Sequence, residues 1–503
     1  RYNFTFRNTS HFLKDRLRVD VGANYIVQKD QNMTNQGVYS NPLVSAYLFP
    51  RGDSFEAAKI FERWDPARKI AVQYWPQGEG GDLRMQNPYW IAYRNPRNTD
   101  KKRYMANVSI AFDILPWLNV SGRAKIDNTN SIFTQKLYAS SNTTITEGST
   151  QGHYTEIRNT DDQIYADVMV NINKTFADNK FSLVANVGAS VNDTKSKELS
   201  YRGPIREVGI PNMFTVFDLD KEKSRAQKYG WQEQTQSIFA SVEMGYKSML
   251  YLTVTGRNDW ASQLAGSPQR SFFYPSVGLS WLPTATFLKL RASFSSVGIP
   301  FPRFLTTPTY PYDETNQQWL PTTFRPIEQL YPERTKTWEI GIDARLWNDL
   351  RLAASWYRAD TNNQTFQPTV STSSGYSSMY VQTGNVRNTG IEASLGYGHT
   401  WNSFSWDTNF TFSWNKNEVT ELMDGLTDPL TGEPLKDRLE IKGLGKAKYI
   451  IKKGGTLGDL YTTSNLKYDE NGYVQVDRNG NLITTDVGED IYLGSVFPDY
   501  NLA

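Results

Sequence analysis

The chain has no cysteine and only three histidines among its 503 residues. Without cysteine it forms neither a disulfide nor a thiolate site. Three scattered imidazoles, at His11, His153 and His399, do not predict a histidine-based metal centre. No stretch approaches the ~18 apolar residues of a membrane-spanning helix, which excludes helical spanning but not spanning by strands. A net charge of only +2 argues against nucleic acid as a partner.

What the chain does contain is a repeated hairpin pattern. Between residues 104 and 127, two segments of alternating apolar and polar residues are joined by a short turn. Because successive side chains of a strand point to opposite faces, each segment has one apolar face and one polar face. The apolar positions are Tyr104, Ala106, Val108, Ile110, Phe112, Leu118, Val120, Gly122, Ala124 and Ile126. About seven such units follow one another, separated by long polar loops.

This pattern predicts about fourteen strands, with a further pair near 445–465. Their expected bounds are 2–8, 16–28, 104–112, 118–127, 163–173, 180–192, 237–246, 250–259, 273–282, 288–295, 336–346, 350–358, 389–398 and 404–414. Short turns on one side and long loops on the other predict an all-β fold, an antiparallel transmembrane β-barrel with long extracellular loops and short periplasmic turns. The strands of a soluble sandwich or propeller would show a similar alternation of apolar and polar residues. They would not be expected to be joined by short turns and long loops in strict succession.

One face of most predicted strands carries no charge, as contact with lipid requires. A Lys or Arg at the lipid midplane costs roughly 2–4 kcal/mol. The opposite faces hold Asp167, Glu339, Asp343, Arg345, Arg351, Glu392 and Asp407, which fit a hydrated or plugged interior. Glu339 and Asp343 lie ~13 Å apart along one strand, too far for the carboxylate pair of a glycoside hydrolase. We therefore expect no enzyme activity.

Three tryptophans, Trp117, Trp347 and Trp401, fall in or beside the predicted short turns. Membrane barrels place aromatic girdles at this level, so we interpret the three as a periplasmic girdle, with ordinary packing as the alternative for each one. At the other end of a strand, Arg257, Asn258, Asp259 and Trp260 are interpreted as a brace at the base of a loop rather than a substrate contact.

A weak calcium-like loop is formed by Asp477, Asn479 and Asn481. An EF-hand-like loop needs glycine at its sixth position and an acid at its twelfth, where this chain has Leu482 and Gly488. Asn-Gly hairpin turns at 471–472 and 479–480 explain the segment better, so no metal and no cofactor are predicted.

Several segments resemble the SusC/RagA family of TonB-dependent outer-membrane transporters of Bacteroidetes. They are LYLTVTGRNDWAS (250–262), RSFFYPSVGLSWL (270–282), LKLRASFSSVG (288–298), ERTKTWEIGIDARLWNDLRLAASWYRADTNNQ (333–364) and NVRNTGIEASLGYGHTWNSFSWDTNFTFSWNKNEVTEL (385–422). The resemblance implies a barrel of about 22 strands in the outer membrane. Residues 1–503 would then be a partial barrel domain, with plug, signal peptide and terminal strands absent from this chain.

The resemblance further implies active import of oligosaccharides, or of peptides, with a SusD-like surface lipoprotein as a lid. TonB-ExbB-ExbD would supply the energy through N-terminal parts missing from this chain. Loop aromatics that could stack on sugar rings are Trp90, Tyr93, Tyr310, Tyr312 and Trp319, although loop packing or contact with lipid headgroups is favoured for each one individually. The alternatives are a passive porin, a siderophore-type TonB-dependent receptor, and a soluble β-rich glycan-binding protein or hydrolase.

Overall fold

The computed structural model describes residues 1–503 except 34, 36, 76–84, 266, 268, 285–286, 300–302, 306–309, 311, 314–317, 321, 328–329, 348, 368–372, 374, 423–437, 445–446, 498–499 and 503. In chain order the elements are β1 (Tyr2–Phe12), β2 (Leu17–Gln31), α1 (Pro42–Tyr47), β3 (Glu62–Asp65), β4 (Ile70–Gln73), α2 (Pro88–Arg94), β5 (Arg97–Leu115), β6 (Leu118–Tyr138), β7 (Gly152–Phe176), β8 (Phe181–Pro204), β9 (Arg225–Tyr246), β10 (Leu250–Ala261), β11 (Phe272–Thr284), β12 (Leu288–Ile299), β13 (Tyr312–Asp313), β14 (Gln318–Trp319), β15 (Phe324–Arg325), β16 (Glu333–Leu346), β17 (Leu350–Phe366), β18 (Ser378–Met379), β19 (Val381–Trp401), β20 (Phe404–Glu421), β21 (Arg438–Leu444), β22 (Ala447–Lys452), β23 (Asp459–Leu466), β24 (Thr484–Ser495) and β25 (Tyr500–Leu502). Short 3-10 helices lie at Phe55–Lys59, Val216–Asp218 and Ser262–Leu264.

One antiparallel sheet of 15 strands forms the wall of the molecule. Its order is β1-β2-β5-β6-β7-β8-β9-β10-β11-β12-β16-β17-β19-β20-β25, so neighbours in the wall follow one another along the chain. The first and last strands of this order are not paired with each other among the described residues. All of the strands predicted between residues 2 and 414 are present, and the antiparallel prediction is confirmed.

Several strands extend much further than the alternating pattern indicates. β7 has 25 residues and β8 has 24, whereas about ten residues cross a membrane. Much of the predicted loops at 128–162 and 193–236 is therefore strand. In these extensions polar residues occur on both faces, and side chains hydrogen-bond across strands. The hydroxyl of Thr160 donates to Asn130 at 2.9 Å, for example, and that of Ser196 donates to Asp161 at 2.7 Å.

The wall has two chemically different faces, which we call the apolar face and the polar face. Large apolar side chains on the apolar face remain half-exposed; they include Ile126, Ile164, Val168, Val187, Ile238, Trp338, Ile340 and Phe410. On β8 the uncharged run extends from Phe181 to Val191 and ends at Asp193. At ~3.3 Å per residue and a strand tilt of ~40° this run is ~25 Å tall, which matches the apolar band of a membrane barrel.

The connections at one end of the wall are short and use left-handed backbone conformations. Ala177, Asp178 and Asn179, between β7 and β8, have φ of 48°, 54° and 66°. Lys247 and Ser248 repeat this between β9 and β10, with φ of 51° and 56°. Within the described ranges, no helix is long and apolar enough to cross a membrane.

At the opposite end, residues between β2 and β5 fold into a small module. Both of its helices begin with Asn-Pro: Asn41 and Asn87 are the N-caps, accepting from the main-chain N–H of Leu43 and Tyr89. Asn at the cap is favourable because its side chain accepts from a main-chain N–H that would otherwise be unpaired. Proline is favourable at the first helical position because it has no N–H to leave unpaired. The module is anchored on the neighbouring loop by Trp90, whose ring is fully buried and donates to Ser141 Oγ at 2.9 Å.

The tail forms a separate sheet in the order β21-β22-β23-β24. Strands near 445–465 were expected to continue the wall; β22 and β23 exist and pair, but they do not join it. The physical reason is burial on both sides of β22, where Ile450 and Ile451 are 1% and 2% exposed. The tail sheet packs on the ends of the wall strands through a cluster of Phe366, Val381, Val386, Val419, Leu422, Leu439 and Ile451.

Candidate functional site at the base of the loops

The polar face carries ion pairs that join strands. Arg103–Asp127 (2.5 Å) and Arg123–Asp167 (2.9 Å) link neighbouring strands, and Arg351–Asp407 (3.0 Å) reaches from β17 across β19 to β20. Arg291 lies between the carboxylates of Glu339 and Asp343, at 3.5 Å from the first and 3.9 Å from the second. Each carboxylate is held near a guanidinium, which compensates charge on a partly covered surface. This arrangement suits lining of an interior better than acid–base catalysis.

A cavity of ≈ 550 Å³ opens on the polar face where β10, β11 and β12 end. Its polar lining includes Arg257, Asp259, Gln263 and Tyr274, together with several Ser and Thr residues. A small core of Leu264, Phe272, Leu305 and Leu330 lies beside it and fixes the surrounding loops. Charged and hydroxyl-bearing side chains beside an apolar wall are typical of a pocket for a polar organic ligand.

Arg257 organises this cavity. Its Nε donates to Asp259 Oδ1 at 2.6 Å, and its Nη2 donates to Ser237 Oγ at 2.8 Å. Strand alternation places Arg257 and Asp259 on the polar face but Asn258 and Trp260 on the apolar face, where Trp260 is opposite Gln236 and 42% exposed. The motif at residues 257–260 therefore contributes to both faces of the wall. The Arg257–Asp259 ion pair faces the cavity, and the indole of Trp260 lies on the apolar face.

A second group beside the cavity was not predicted from the sequence. Arg303, from the loop after β12, donates to Glu233 Oε2 at 2.9 Å, and its guanidinium lies 3.7 Å from the ring centroid of Trp231. Gln263 donates to the same carboxylate oxygen at 2.9 Å. These contacts hold one loop against the extended part of β9. The sequence predicted a loop for residues 225–236 because polar residues occur on both faces of this segment. The contact between Arg303 and Trp231 could therefore not be predicted.

The predicted loop aromatics lie in two loops and differ in accessibility. Trp90 is 0% exposed and is a core residue of the module between β2 and β5, so the stacking role expected for it is not possible in this conformation. Tyr93 is 64% exposed and stacks on Phe61 at 5.5 Å between centroids. Tyr310 and Trp319 are 55% and 69% exposed. The side chain of Tyr312 lies outside the described residues.

The three predicted girdle tryptophans lie at the short-turn end. Trp117 is 4.7 Å from the ammonium of Lys174, and Trp401 lies 4.5 Å from the ring of His399. Trp347 is 81% exposed in the turn between β16 and β17. Aromatic rings at one level of the wall are what a headgroup region favours, and the girdle role stays a prediction.

The calcium-like segment consists of two tandem turns. Asp477 Oδ1 accepts from the main-chain N–H of Asn479 and of Asn481, both at 2.8 Å, and Asp469 repeats the arrangement with Asn471 and Tyr473. Hydrogen bonds from Asn481 hold the pKa of Asp477 below its ordinary value. Across the described part of the chain, no cluster of three or more potential metal ligands is found. The carboxylates are committed to their own turns.

Comparison with known proteins decides the fold family. Residues 47–501 match the family described as TonB dependent receptor-like, beta-barrel. The chain belongs to this family. TonB-dependent receptor P3 of Formosa agariphila is 26% identical over 467 residues, which are 84% of this chain and 44% of that protein. TonB-dependent receptor SusC of Bacteroides thetaiotaomicron is 25% identical over 284 residues, 50% of this chain and 28% of that protein.

Among solved structures, the RagAB peptide transporter superposes with a TM-score of 0.72 and 17% identity, covering 99% of this chain and 55% of that one. The chain thus spans less than half the length of the curated relatives it matches. It is a SusC/RagA-like TonB-dependent receptor barrel of the outer membrane. The apolar face of the wall is therefore its lipid-facing surface, and the polar face lines the barrel interior.

Proposed function

We propose that this TonB-dependent receptor barrel imports oligosaccharides or peptides across the outer membrane, and that it has no enzyme activity of its own. The observation that carries the proposal is the cavity around Arg257 on the interior face. It combines an ion pair, an amide, a phenol and an apolar wall at the base of folded extracellular loops. Such a mixture binds polar ligands by hydrogen bonds and by contact with their apolar faces.

In this scheme the energy comes from TonB-ExbB-ExbD and a SusD-like lipoprotein covers the extracellular mouth. The proposal is supported by likeness to SusC and to RagAB, which is a peptide transporter. The folded module between β2 and β5 and the tail sheet offer ordered surfaces on the side where a lid would bind. Each has a buried core, with Trp90 and Val419 at 0% exposure, so these surfaces are folded before a partner binds and do not have to order on binding.

Uptake by cells tests the proposal. Cells with and without the gene are given a fluorescent maltooligosaccharide or a fluorescent oligopeptide, and accumulation is measured with and without a protonophore. We expect accumulation of at least one probe that needs both the gene and the proton gradient. Gene-dependent entry that continues unchanged in the presence of protonophore would indicate a passive porin instead.

The contribution of the cavity is tested with Arg257→Gln. This change leaves Asp259 without its 2.6 Å partner and is expected to lower uptake. Arg123→Gln, on the interior face but away from the cavity, is the matched control because it also breaks one ion pair. Equal loss in both variants would show that the effect arises from the stability of the wall and not from ligand binding.

A further inference from the structure

Four cationic side chains form a cluster on the lipid-facing surface of four adjacent strands. They are Lys336 of β16, Arg358 of β17, Arg387 of β19 and Lys416 of β20, and we call them the basic cluster. The register holds them together. Lys336 is opposite Asp360, which is opposite Arg387, while Thr389 lies between Arg358 and Lys416.

Directly below the basic cluster is a row of tryptophans. Trp338, Trp356 and Trp414 each lie two residues from a cluster member on the same strand, and therefore on the same face. Trp338 is 55% exposed and Trp356 is 39% exposed. Beyond them towards the short turns the face is apolar, with Ile340 and Ile391 half-exposed. Tryptophan is enriched where acyl chains meet headgroups, so the basic cluster lies at headgroup height in the leaflet on the loop side.

The carboxylates of this region do not neutralise the cluster. Asp360 accepts from both Arg358 Nε, at 2.9 Å, and Arg387 Nε, at 2.7 Å, and so serves two guanidinium groups at once. Lys416 pairs with Glu418 at 3.0 Å. Lys336 has no ion pair among the described residues. Four cations therefore face two carboxylates, and the guanidinium groups keep N–H donors that Asp360 does not use.

The same level elsewhere on the wall has a different charge pattern. On β7 and β8 the first polar positions beyond the apolar band are Asp162 and Asp193. Asn128 donates to Asp162, and Gln232 donates to Asp193 at 3.0 Å. Lys195 of β8 lies opposite Asp162, so acidic and basic side chains are mixed on this part of the wall. The basic cluster is therefore a localised feature and not part of a uniform belt.

We propose that the basic cluster binds the phosphate of a phosphorylated lipid in the outer leaflet. The acyl chains of this lipid lie along Trp338, Trp356 and Ile340. Arginine suits the role because its planar fork donates two parallel hydrogen bonds to phosphate oxygens, and lysine adds charge without a fixed geometry. The proposal is independent of which substrate the receptor imports.

Lipid binding by the protein purified from outer membranes in neutral detergent tests this site. Phosphorylated lipid A is titrated while intrinsic tryptophan fluorescence and native mass spectrometry report binding. The double variant Lys336→Gln/Arg387→Gln is expected to bind about 30-fold more weakly, because each basic side chain near a membrane surface contributes a factor of about five. Dephosphorylated lipid A is expected to bind wild type as weakly as phosphorylated lipid binds the variant.

The matched control is Lys195→Gln/Lys197→Gln, which removes the same charge from the same face of β8. Its affinity is expected to stay within about threefold of wild type. The proposal is overturned if the cluster variant also stays within that range, or if the control loses as much. It is equally overturned if inorganic phosphate displaces the lipid at matched concentration, since the site would then be a general anion site. Heat-modifiable migration on gels verifies that both variants are folded.

Discussion

Placing one arginine on the lipid-facing surface tests the assignment of the two faces of the wall. Val187 of β8 is 53% exposed and lies opposite Val170 and Ala240, both on the same face. It is six residues from Phe181, which corresponds to ~15 Å of height in an apolar band of ~25 Å. The side chain is therefore close to the lipid midplane.

Val187→Arg is expected to destabilise the folded barrel by about 2–4 kcal/mol. The cost arises because the guanidinium must leave water for hydrocarbon or draw water and headgroups into the bilayer. The change in the free energy of unfolding is measured by urea denaturation in phospholipid vesicles, followed by tryptophan fluorescence. At constant m-value, the shift of the midpoint gives the difference directly.

The neighbouring position supplies the control. Asn186 points to the polar face, between Asn171 and Ser241. Asn186→Arg adds the same charge to the same strand but places it in the hydrated interior, where a change within about 0.5 kcal/mol is expected. If Asn186→Arg costs as much as Val187→Arg, or more, the assignment of the lipid-facing surface is refuted.

Three further changes probe other regions of the molecule. Trp90→Ala empties a fully buried position and should cost about 3–5 kcal/mol locally, seen as faster hydrogen exchange of residues 42–95 with the wall unchanged; unchanged exchange would contradict the module's core. Asp490→Asn should destabilise the tail sheet by about 2 kcal/mol at neutral pH, since the hydrogen bond from Arg438 holds the pKa of Asp490 well below its ordinary value. A carboxyl whose pKa is lowered in the folded state stabilises the fold at every pH above its pKa in the unfolded chain, which is ~4. This stabilisation is lost as the pH falls through the folded-state pKa, so the stabilities of variant and wild type should converge only in strong acid. Arg257→Gln should reduce uptake while heat-modifiable migration persists, and unchanged uptake would remove the cavity from the import path.

The central part of each wall strand was predictable because only there do the two faces differ in polarity. On β8, the segment 180–192 alternates between apolar and polar residues, and the predicted strand begins within one residue of the observed start at Phe181. The continuation from Asp193 to Pro204 was missed, because outside the bilayer both faces meet water and the period-two signal disappears. Polar cross-strand pairs hold such extensions, and a single sequence does not show which partner each residue has.

The candidate site was predictable in part for the same reason. Arg257 and Asp259 stand two apart on one strand, so their shared face follows from alternation alone. Arg303 and Glu233 are seventy residues apart and meet only because the loop after β12 returns to the extended part of β9. No local pattern encodes that return, since loop closure depends on the loop's own small core, formed by residues such as Leu305 and Leu330.

For Trp90, loop packing is the role that the structure shows, and a local sequence signal already pointed to it. Asn87-Pro88 is a helix start, with Asn as the cap and proline at the first helical position, which makes Trp90 the third residue of a short helix. Such a helix at the edge of a β wall needs one buried face, and its bulkiest residue supplies it, with the indole N–H satisfied by Ser141. Trp319, in contrast, lies in the two-residue strand β14, where it is 69% exposed. The Asn-Pro helix start inside a predicted loop is therefore the local signal that indicates the packed position of Trp90.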